Sequence, residues 1–158
     1  MRPHLRSLAV AAAVMVLHTS PGFAQRGGGG GGNSCTISAT GVAFGAYDVF
    51  SGSAVLSTGS VTLECGPAAR NVLVSLSPGQ GGSFTPRTLA NAGEALSYNL
   101  YLDAARTMIW GDGTGGTQHY TNPAPPDTLI LTIYGAIPAL QDVSAGTYTD
   151  SIVASVNF

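Results

Sequence analysis

The stretch Gly146–Phe158, G-T-Y-T-D-S-I-V-A-S-V-N-F, decides the fold of this chain. Apolar residues occupy every second position from residue 152 onward: Ile152, Ala154, Val156 and Phe158. Only Val153 breaks this period of two, which is typical of a half-buried β-strand. Because no sequence follows the strand, we expect its edges to be paired by earlier strands, covered, or left for another chain.

Short alternating segments separated by glycine- and proline-rich turns continue back to Cys35. We predict six substantial strands, over residues 35–39, 60–65, 72–76, 96–102, 128–134 and 146–158. A further extended piece over 42–47 has a bulge or bend at Gly45. No segment has a helical period, so the pattern favours an all-β sandwich. Tyr148 fits the corner tyrosine of an immunoglobulin-like sandwich, a fold that normally has seven strands.

The first 24 residues are typical of a secretory signal peptide. A basic start is followed by an apolar segment from Leu8 to Leu17 and by the small-x-small sequence that ends at Ala24. The apolar segment is too short to span a bilayer, and the mature chain contains no membrane helix by sequence. We therefore expect an exported protein that begins at Gln25.

Two further features follow the predicted cleavage site. Residues 25–34 contain six consecutive glycines, which predict a flexible arm because glycine loses much entropy on ordering. Cys35 and Cys65 are the two cysteines of the chain, and in an exported protein we expect them to form one disulfide. The domain then extends over residues 35–158.

Charge and motifs exclude several functional classes. The net charge is −2, and there is no basic stripe that would favour nucleic acid. No nucleophile elbow, paired acidic motif or zinc-protease motif occurs, so we predict no catalytic residues. His119 is the single histidine after the signal peptide. We expect no metal site and no cofactor.

Trp110 and Asp112 in the segment W-G-D-G-T-G-G-T are the candidate ligand residues. Trp110 fits either stacking on a glycan or burial in the core. Asp112 fits either a calcium or sugar contact or the capping of amides in a glycine-rich turn. For both residues, the structural interpretation is the one that the sequence favours.

The sequence resembles the spore coat protein U domain family. The resemblance rests on F-G-A-Y (44–47), Y-N-L-Y (98–101), W-G-D-G-T-G-G-T (110–117), Y-G-A-I-P-A-L-Q (134–141) and the final strand, which occur in the family's order. The cysteine spacing also fits. This family includes a secreted spore-coat protein and the pilin subunits of archaic chaperone-usher pili.

The resemblance implies an incomplete, pilin-like immunoglobulin-type Greek-key sandwich that lacks its seventh strand. In the pilus members, donor-strand complementation fills the gap, first from a periplasmic chaperone and then from the next subunit. The implied partners are this chaperone, an outer-membrane usher and other pilin-like subunits. The implied location is the periplasm, followed by the cell surface, a fimbrium or secretion.

We expect the strand-accepting groove to lie between the last strand and the first. Its predicted lining residues are Ile37, Ala39, Ile152, Ala154, Val156 and Phe158, although each also fits an ordinary core position. The glycine-rich arm departs from the family because it has no alternating apolar residues to donate. The sequence therefore predicts a structural subunit of a bacterial surface polymer, either pilus or coat, that accepts a strand. The alternative is a carbohydrate- or surface-binding adhesin on the same scaffold.

Overall fold

The computed structural model describes the backbone of residues 10–19 and the whole of residues 34–158. In this part of the chain the secondary structure consists of strands and turns. The strands are β1 (Val10–Thr19), β2 (Cys35–Thr40), β3 (Ala43–Asp48), β4 (Val55–Cys65), β5 (Val72–Leu76), β6 (Arg87–Asn91), β7 (Glu94–Tyr101), β8 (Tyr120–Asn122), β9 (Thr128–Ile137) and β10 (Thr147–Asn157). The predicted basic start and cleavage site of the signal peptide, and the arm over 25–33, lie outside the described residues.

The strands form a sandwich in which one strand belongs to both sheets. One layer has the antiparallel order β2-β4-β9-β7. The second layer continues from β7 through β6, β10 and β1 to β3, and β5 pairs with both β10 and β8. The first part of β7 pairs with β6 and its end, Asn99–Tyr101, pairs with β9. Strands that change sheets in this way form the corner of a sandwich.

The inward faces of both layers supply one apolar core. Alternate residues of β10 are buried, as its sequence predicted, and they meet the buried residues of β4, β5, β7 and β9. The largest fully buried side chains are Trp110, Arg87, Tyr47, Tyr98 and Tyr148. Burial of large aromatic and aliphatic side chains is the main favourable contribution to this fold. The predicted all-β, immunoglobulin-like class is therefore confirmed.

The number of strands differs from the prediction, because residues 34–158 contain nine strands rather than six. The extended piece 42–47 is a full strand, β3, and β8 is a strand of three residues. β6 was missed because its start, Arg87, is charged and follows a proline-rich turn, yet Arg87 is completely buried. A charged residue is seldom buried without partners, so sequence alone assigns it to a loop.

Two local predictions are confirmed. Cys35 and Cys65 form a disulfide and lie directly opposite each other in the β2–β4 ladder. By closing this loop in the unfolded chain, the disulfide stabilises the fold by roughly 3 to 4 kcal/mol in the chain-entropy model. Gly45 has a φ of 74°, and the pairing of β3 with β1 shifts register next to it. This is the β-bulge expected at Gly45, a position where glycine adopts the left-handed conformation without strain.

A cleft between the last strand and β3 as candidate functional site

The candidate site is the cleft between β10 and β3, which β1 occupies. On one edge, β10 pairs with β5 through Ala154–Asn157 and with β6 at Thr149. On its other edge, residues 147–154 pair with residues 12–19 of β1 in the parallel direction. β1 also pairs antiparallel with β3, for which the described residues show no other ladder. One strand therefore separates the two walls of the cleft, which lie about 10 Å apart by standard strand spacing.

A buried carboxylate fixes the β10 wall from inside the sandwich. Asp150 is 2% exposed and accepts a hydrogen bond of 2.6 Å from the Tyr98 hydroxyl. Its other oxygen accepts hydrogen bonds from the backbone N–H groups of Gln80 and Ser151, at 2.8 and 2.7 Å. Burial, and then the hydrogen bond to Asp150, raise the pKa of Tyr98, so its hydroxyl remains a donor. These bonds tie the middle of β10 to β7, on the far side of the intervening strand β6.

Tyr148 holds the beginning of the same strand. Its buried hydroxyl donates to the Glu94 carboxylate at 2.6 Å and lies 3.0 Å from the Ser144 carbonyl oxygen, four residues upstream. Ser144 donates to Glu94 through both its backbone N–H and its hydroxyl. Hydrogen bonds from Tyr148 first, and then from Ser144, hold the pKa of Glu94 below its ordinary value. The contact to the upstream carbonyl supports the expected corner-tyrosine role.

Arg87 joins the two layers near the corner at which β7 changes sheets. Its guanidinium donates to the Ser77 and Trp110 carbonyl oxygens, at 2.9 and 2.6 Å, and to Asn99 Oδ1 at 2.9 Å. It also lies over the Phe84 ring, 5.1 Å from the centroid. Burial lowers the pKa of Arg87 to about 10, so the group remains charged at neutral pH. The N–H groups of the Arg87 guanidinium thus bind acceptors from three separate segments of the chain.

Side chains anchor the opposite wall, β3, although its backbone pairs with β1 alone among the described ladders. Phe44 packs edge-to-face on Tyr98, with ring centroids 5.9 Å apart. It also lies against the backbone at Gly135, where an added Cβ would be only 2.7 Å from the Phe44 ring. The Tyr47 hydroxyl donates to the Pro138 carbonyl oxygen at 2.9 Å and accepts from the Gln141 N–H at 2.8 Å. The position of β3 therefore depends on contacts that do not involve β1.

The predicted groove residues Ile37 and Ala39 lie on a different strand from the one that faces β10 across β1. Ile37 and Ala39 are half-buried on β2, which pairs with β4 in the other layer and contacts β1 and β10 from across the sandwich. The strand that faces β10 across β1 is β3, and the groove lining at Ile37 and Ala39 stays a prediction. The sequence hid this wall because the bulge changes the spacing of the buried residues Phe44 and Tyr47 from two to three. The F-G-A-Y motif itself was the signal that could have located it.

The predicted residues on β10 divide into two groups. Ile152 and Ala154 are fully buried within the part of β10 that pairs with β1. Val156 lies beyond this part, opposite Val74 of β5, and Phe158 is half-buried after the end of the strand. Ile152 and Ala154 therefore lie in the segment of β10 that pairs with β1, whereas Val156 lies in the segment that pairs with β5.

The predicted ligand loop has structural contacts instead of an open site. Trp110 is fully buried and donates its indole N–H to the Val74 carbonyl oxygen at 3.0 Å, so it is not available for stacking on a sugar. The Asp112 carboxylate accepts hydrogen bonds from the hydroxyl and the N–H of Thr114, which hold its pKa below the ordinary value. In the described ranges, no group of three His, Cys, Asp or Glu residues is arranged to hold a metal. Across the same ranges, no helix has the length and apolar character needed to cross a membrane.

Comparison with known proteins identifies the family of this sandwich. A sequence model of the Spore Coat Protein U domain matches residues 32–155. The chain belongs to the Spore Coat Protein U domain family. Within this family, "Protein U" of Myxococcus xanthus is 32% identical over 127 residues, which cover 73% of this chain and 70% of that protein. The resemblance predicted from the sequence motifs is thus confirmed.

A solved structure shows where this Spore Coat Protein U fold recurs. It is the CsuC–CsuE chaperone–tip adhesion subunit pre-assembly complex from the archaic chaperone-usher Csu pili of Acinetobacter baumannii. The superposition has a TM-score of 0.55 with 23% sequence identity, and it covers 79% of this chain but only 39% of that chain. The likeness establishes a shared fold, and the chain spans about two fifths of the solved chain.

Proposed function

We propose that this chain is a non-enzymatic structural subunit of an exported bacterial surface polymer and that it accepts a strand in the cleft between β3 and β10. One observation carries the proposal. β3 and β10 are each held in place by contacts inside the sandwich, and the edges that they turn toward each other are separated by the width of one strand. Residues 34–158 thus supply both walls and leave the strand between them to another segment. Main-chain hydrogen bonds give affinity in such strand addition, and alternate side chains give specificity.

The partners that fit this cleft are a periplasmic chaperone and pilin-like subunits that carry an apolar alternating segment. Family membership supports an exported surface protein with a structural role. We propose that residues 1–24 are removed as a signal peptide, that residues 25–34 form a flexible arm, and that residues 35–158 form the exported domain. The polymer is either an archaic chaperone-usher pilus, in which an outer-membrane usher is the assembly platform, or a spore-coat-like layer.

The alternative adhesin function finds no support in the predicted ligand loop. Trp110 is buried, and the Asp112 carboxylate is engaged by its own turn. A carbohydrate site would need an exposed aromatic or polar surface at this loop. We therefore place the function of the domain at the cleft.

The direct test is to export the full chain in a bacterial host together with a periplasmic chaperone of the archaic chaperone-usher class. The expected product begins at Gln25 by mass and copurifies with the chaperone. In the complex, amides of residues 43–48 and 147–154 should exchange hydrogen slowly, and they should exchange faster in the exported subunit alone. Amides at the centre of β4, residues 61–63, are the internal control, because they pair with β9 in both states.

A pair of proline variants makes the test specific for the cleft. Ala46→Pro places proline inside β3, where a paired strand does not tolerate it, whereas Ala54→Pro changes an exposed loop residue between β3 and β4. Ala46→Pro should reduce the yield of complex by about tenfold or more, and Ala54→Pro should leave it unchanged. A subunit that forms no complex, and whose cleft amides are already protected when it is alone, would refute the proposal.

A further inference from the structure

The segment that occupies the cleft is the apolar part of the predicted signal peptide. β1 covers residues 10–19, and the apolar segment identified from the sequence runs from Leu8 to Leu17. Eight residues of β1 pair with β10, from Ala12 opposite Thr147 to Thr19 opposite Ala154. The same strand pairs with β3 from Val10 to Val14. One segment therefore completes both walls of the cleft in a single sheet.

We propose that the uncleaved chain fills its own cleft with Val10–Thr19, and that cleavage after Ala24 releases this segment and opens the cleft to a partner. The inference rests on the proposed strand-accepting function, to which it adds a regulatory step. The reaction is the hydrolysis of one peptide bond: water supplies the hydroxyl of the new Ala24 carboxyl group and the proton of the new Gln25 amine. No other reactant is needed.

The chain connection makes occupancy by its own segment feasible. About 15 residues join Thr19 to Cys35, and at roughly 3.3 Å per residue they reach up to about 50 Å, several times the radius of a domain of this size. A segment tethered by a short flexible linker is present at an effective concentration of about 1 mM. Once the bond is cut, the same segment in a solution of about 1 μM protein is roughly a thousandfold more dilute, so a competing strand is no longer disfavoured.

The register gives this occupant a defined direction and defined contacts. β1 runs parallel to β10, and Leu17 stands opposite Ile152, which is fully buried. The neighbouring residue, Val16, stands opposite Ser151, which is half-buried. Because directly opposite residues of paired strands share a face of the sheet, the register assigns position 17 to the face of Ile152 and position 16 to the opposite face. A charge at Leu17 should therefore be far less tolerated than a charge at Val16.

The test uses the full chain, refolded with its disulfide and carrying a protease recognition sequence inserted between Arg26 and Gly27. Before cutting, amides of residues 43–48 and 147–154 should be protected from hydrogen exchange. After cutting and dilution, these amides should exchange at least about tenfold faster as the segment leaves, while residues 61–63 remain protected. Retention of the cut segment after dilution, with continued protection at the same amides, would overturn the proposed release. Protection that persists after mass spectrometry shows the segment gone would overturn the proposed self-occupancy.

Substitutions in the segment supply the matched control. In the uncut chain, Leu17→Asp should bring the cleft amides to the exchange rates of the cut chain, and Val16→Asp should not. Equal rates in the two variants, with residues 61–63 protected in both, would overturn the proposed register.

Paired cysteines test the direction and the origin of the strand. Ala12→Cys combined with Thr147→Cys should form a disulfide within one molecule, because these positions lie opposite each other. Ala12→Cys combined with Val153→Cys should not, because it would require the reversed direction. A disulfide that forms only in the second pair, or only between two molecules on a non-reducing gel, would overturn the proposal.

Failure of the self-occupancy proposal is distinguishable from failure of the proposed strand-accepting function. If the exported chain binds its chaperone but cutting the full chain changes nothing at the cleft, the self-occupancy alone is wrong. If cutting opens the cleft but no partner enters it, the strand-accepting function alone is wrong.

Discussion

Removal of the Tyr98 hydroxyl should destabilise the domain more than any ordinary tyrosine-to-phenylalanine change. The hydroxyl is buried and donates a 2.6 Å hydrogen bond to Asp150 Oδ2. A hydrogen bond to a charged group contributes about 1.5 to 3 kcal/mol, and removal of the donor also leaves a buried carboxylate oxygen undersatisfied. We therefore expect Tyr98→Phe to lower the free energy of unfolding by about 2 to 3 kcal/mol. For a domain of this size, the corresponding decrease in Tm is roughly 8 to 12 °C.

The assay is unfolding in guanidinium chloride under non-reducing conditions, followed by tryptophan fluorescence, because Trp110 is the single tryptophan and is buried. Tyr120→Phe is the matched control, since Tyr120 is half-buried and its hydroxyl accepts a 3.2 Å hydrogen bond from the neutral Asn122 amide. It should cost less than about 1 kcal/mol.

A double-mutant cycle assigns the effect to the pair. Asp150→Asn removes the charge but keeps an amide that can bond to the Tyr98 hydroxyl. The double variant should lose about 1 to 2 kcal/mol less unfolding free energy than the sum of the losses in the two single variants. A loss below about 0.5 kcal/mol for Tyr98→Phe, or a coupling near zero, would refute the claim that this bond fixes the middle of β10.

Three further measurements test other parts of the structure. Gly135→Ala adds a methyl group where the Phe44 ring leaves no room, and it should cost about 1 to 3 kcal/mol in the same unfolding assay. The pKa of Glu94 is lower in the folded state, so its stabilising effect is present above the unfolded pKa and is lost as the pH falls through the folded pKa. Between about pH 5 and about pH 3, the Tm of Glu94→Gln should therefore fall less than the Tm of the parent protein. Replacement of Cys35 and Cys65 by serine should cost roughly 2 to 5 kcal/mol, and a smaller loss by calorimetry would contradict a structural role.

The two strands that face each other across β1 differ in how well their local sequence predicts the inward face. On β10 the apolar residues keep a strict period of two, so the inward face could be assigned from Ile152 and Ala154 alone. On β3 the bulge at Gly45 interrupts that period, and only the folded chain shows that Phe44 and Tyr47 share the core. The predicted partner of β10, β2, was a reasonable choice by chain order, but pairing across a sheet depends on topology that the order of strands does not specify.

The fold class, the family, the disulfide and the inward face of the final strand could all be predicted from the sequence, because they depend on local periodicity and on a few motifs in a fixed order. The burial of Arg87, Asp150 and Trp110 could not be predicted in this way, because its cost is offset by hydrogen-bond partners that come from distant segments. The tertiary structure likewise decided that β3 faces β10 across one strand and that Val10–Thr19 lies between them. Main-chain hydrogen bonds between strands do not depend on side-chain identity, so the sequence of one strand does not reveal which other strand the fold brings beside it.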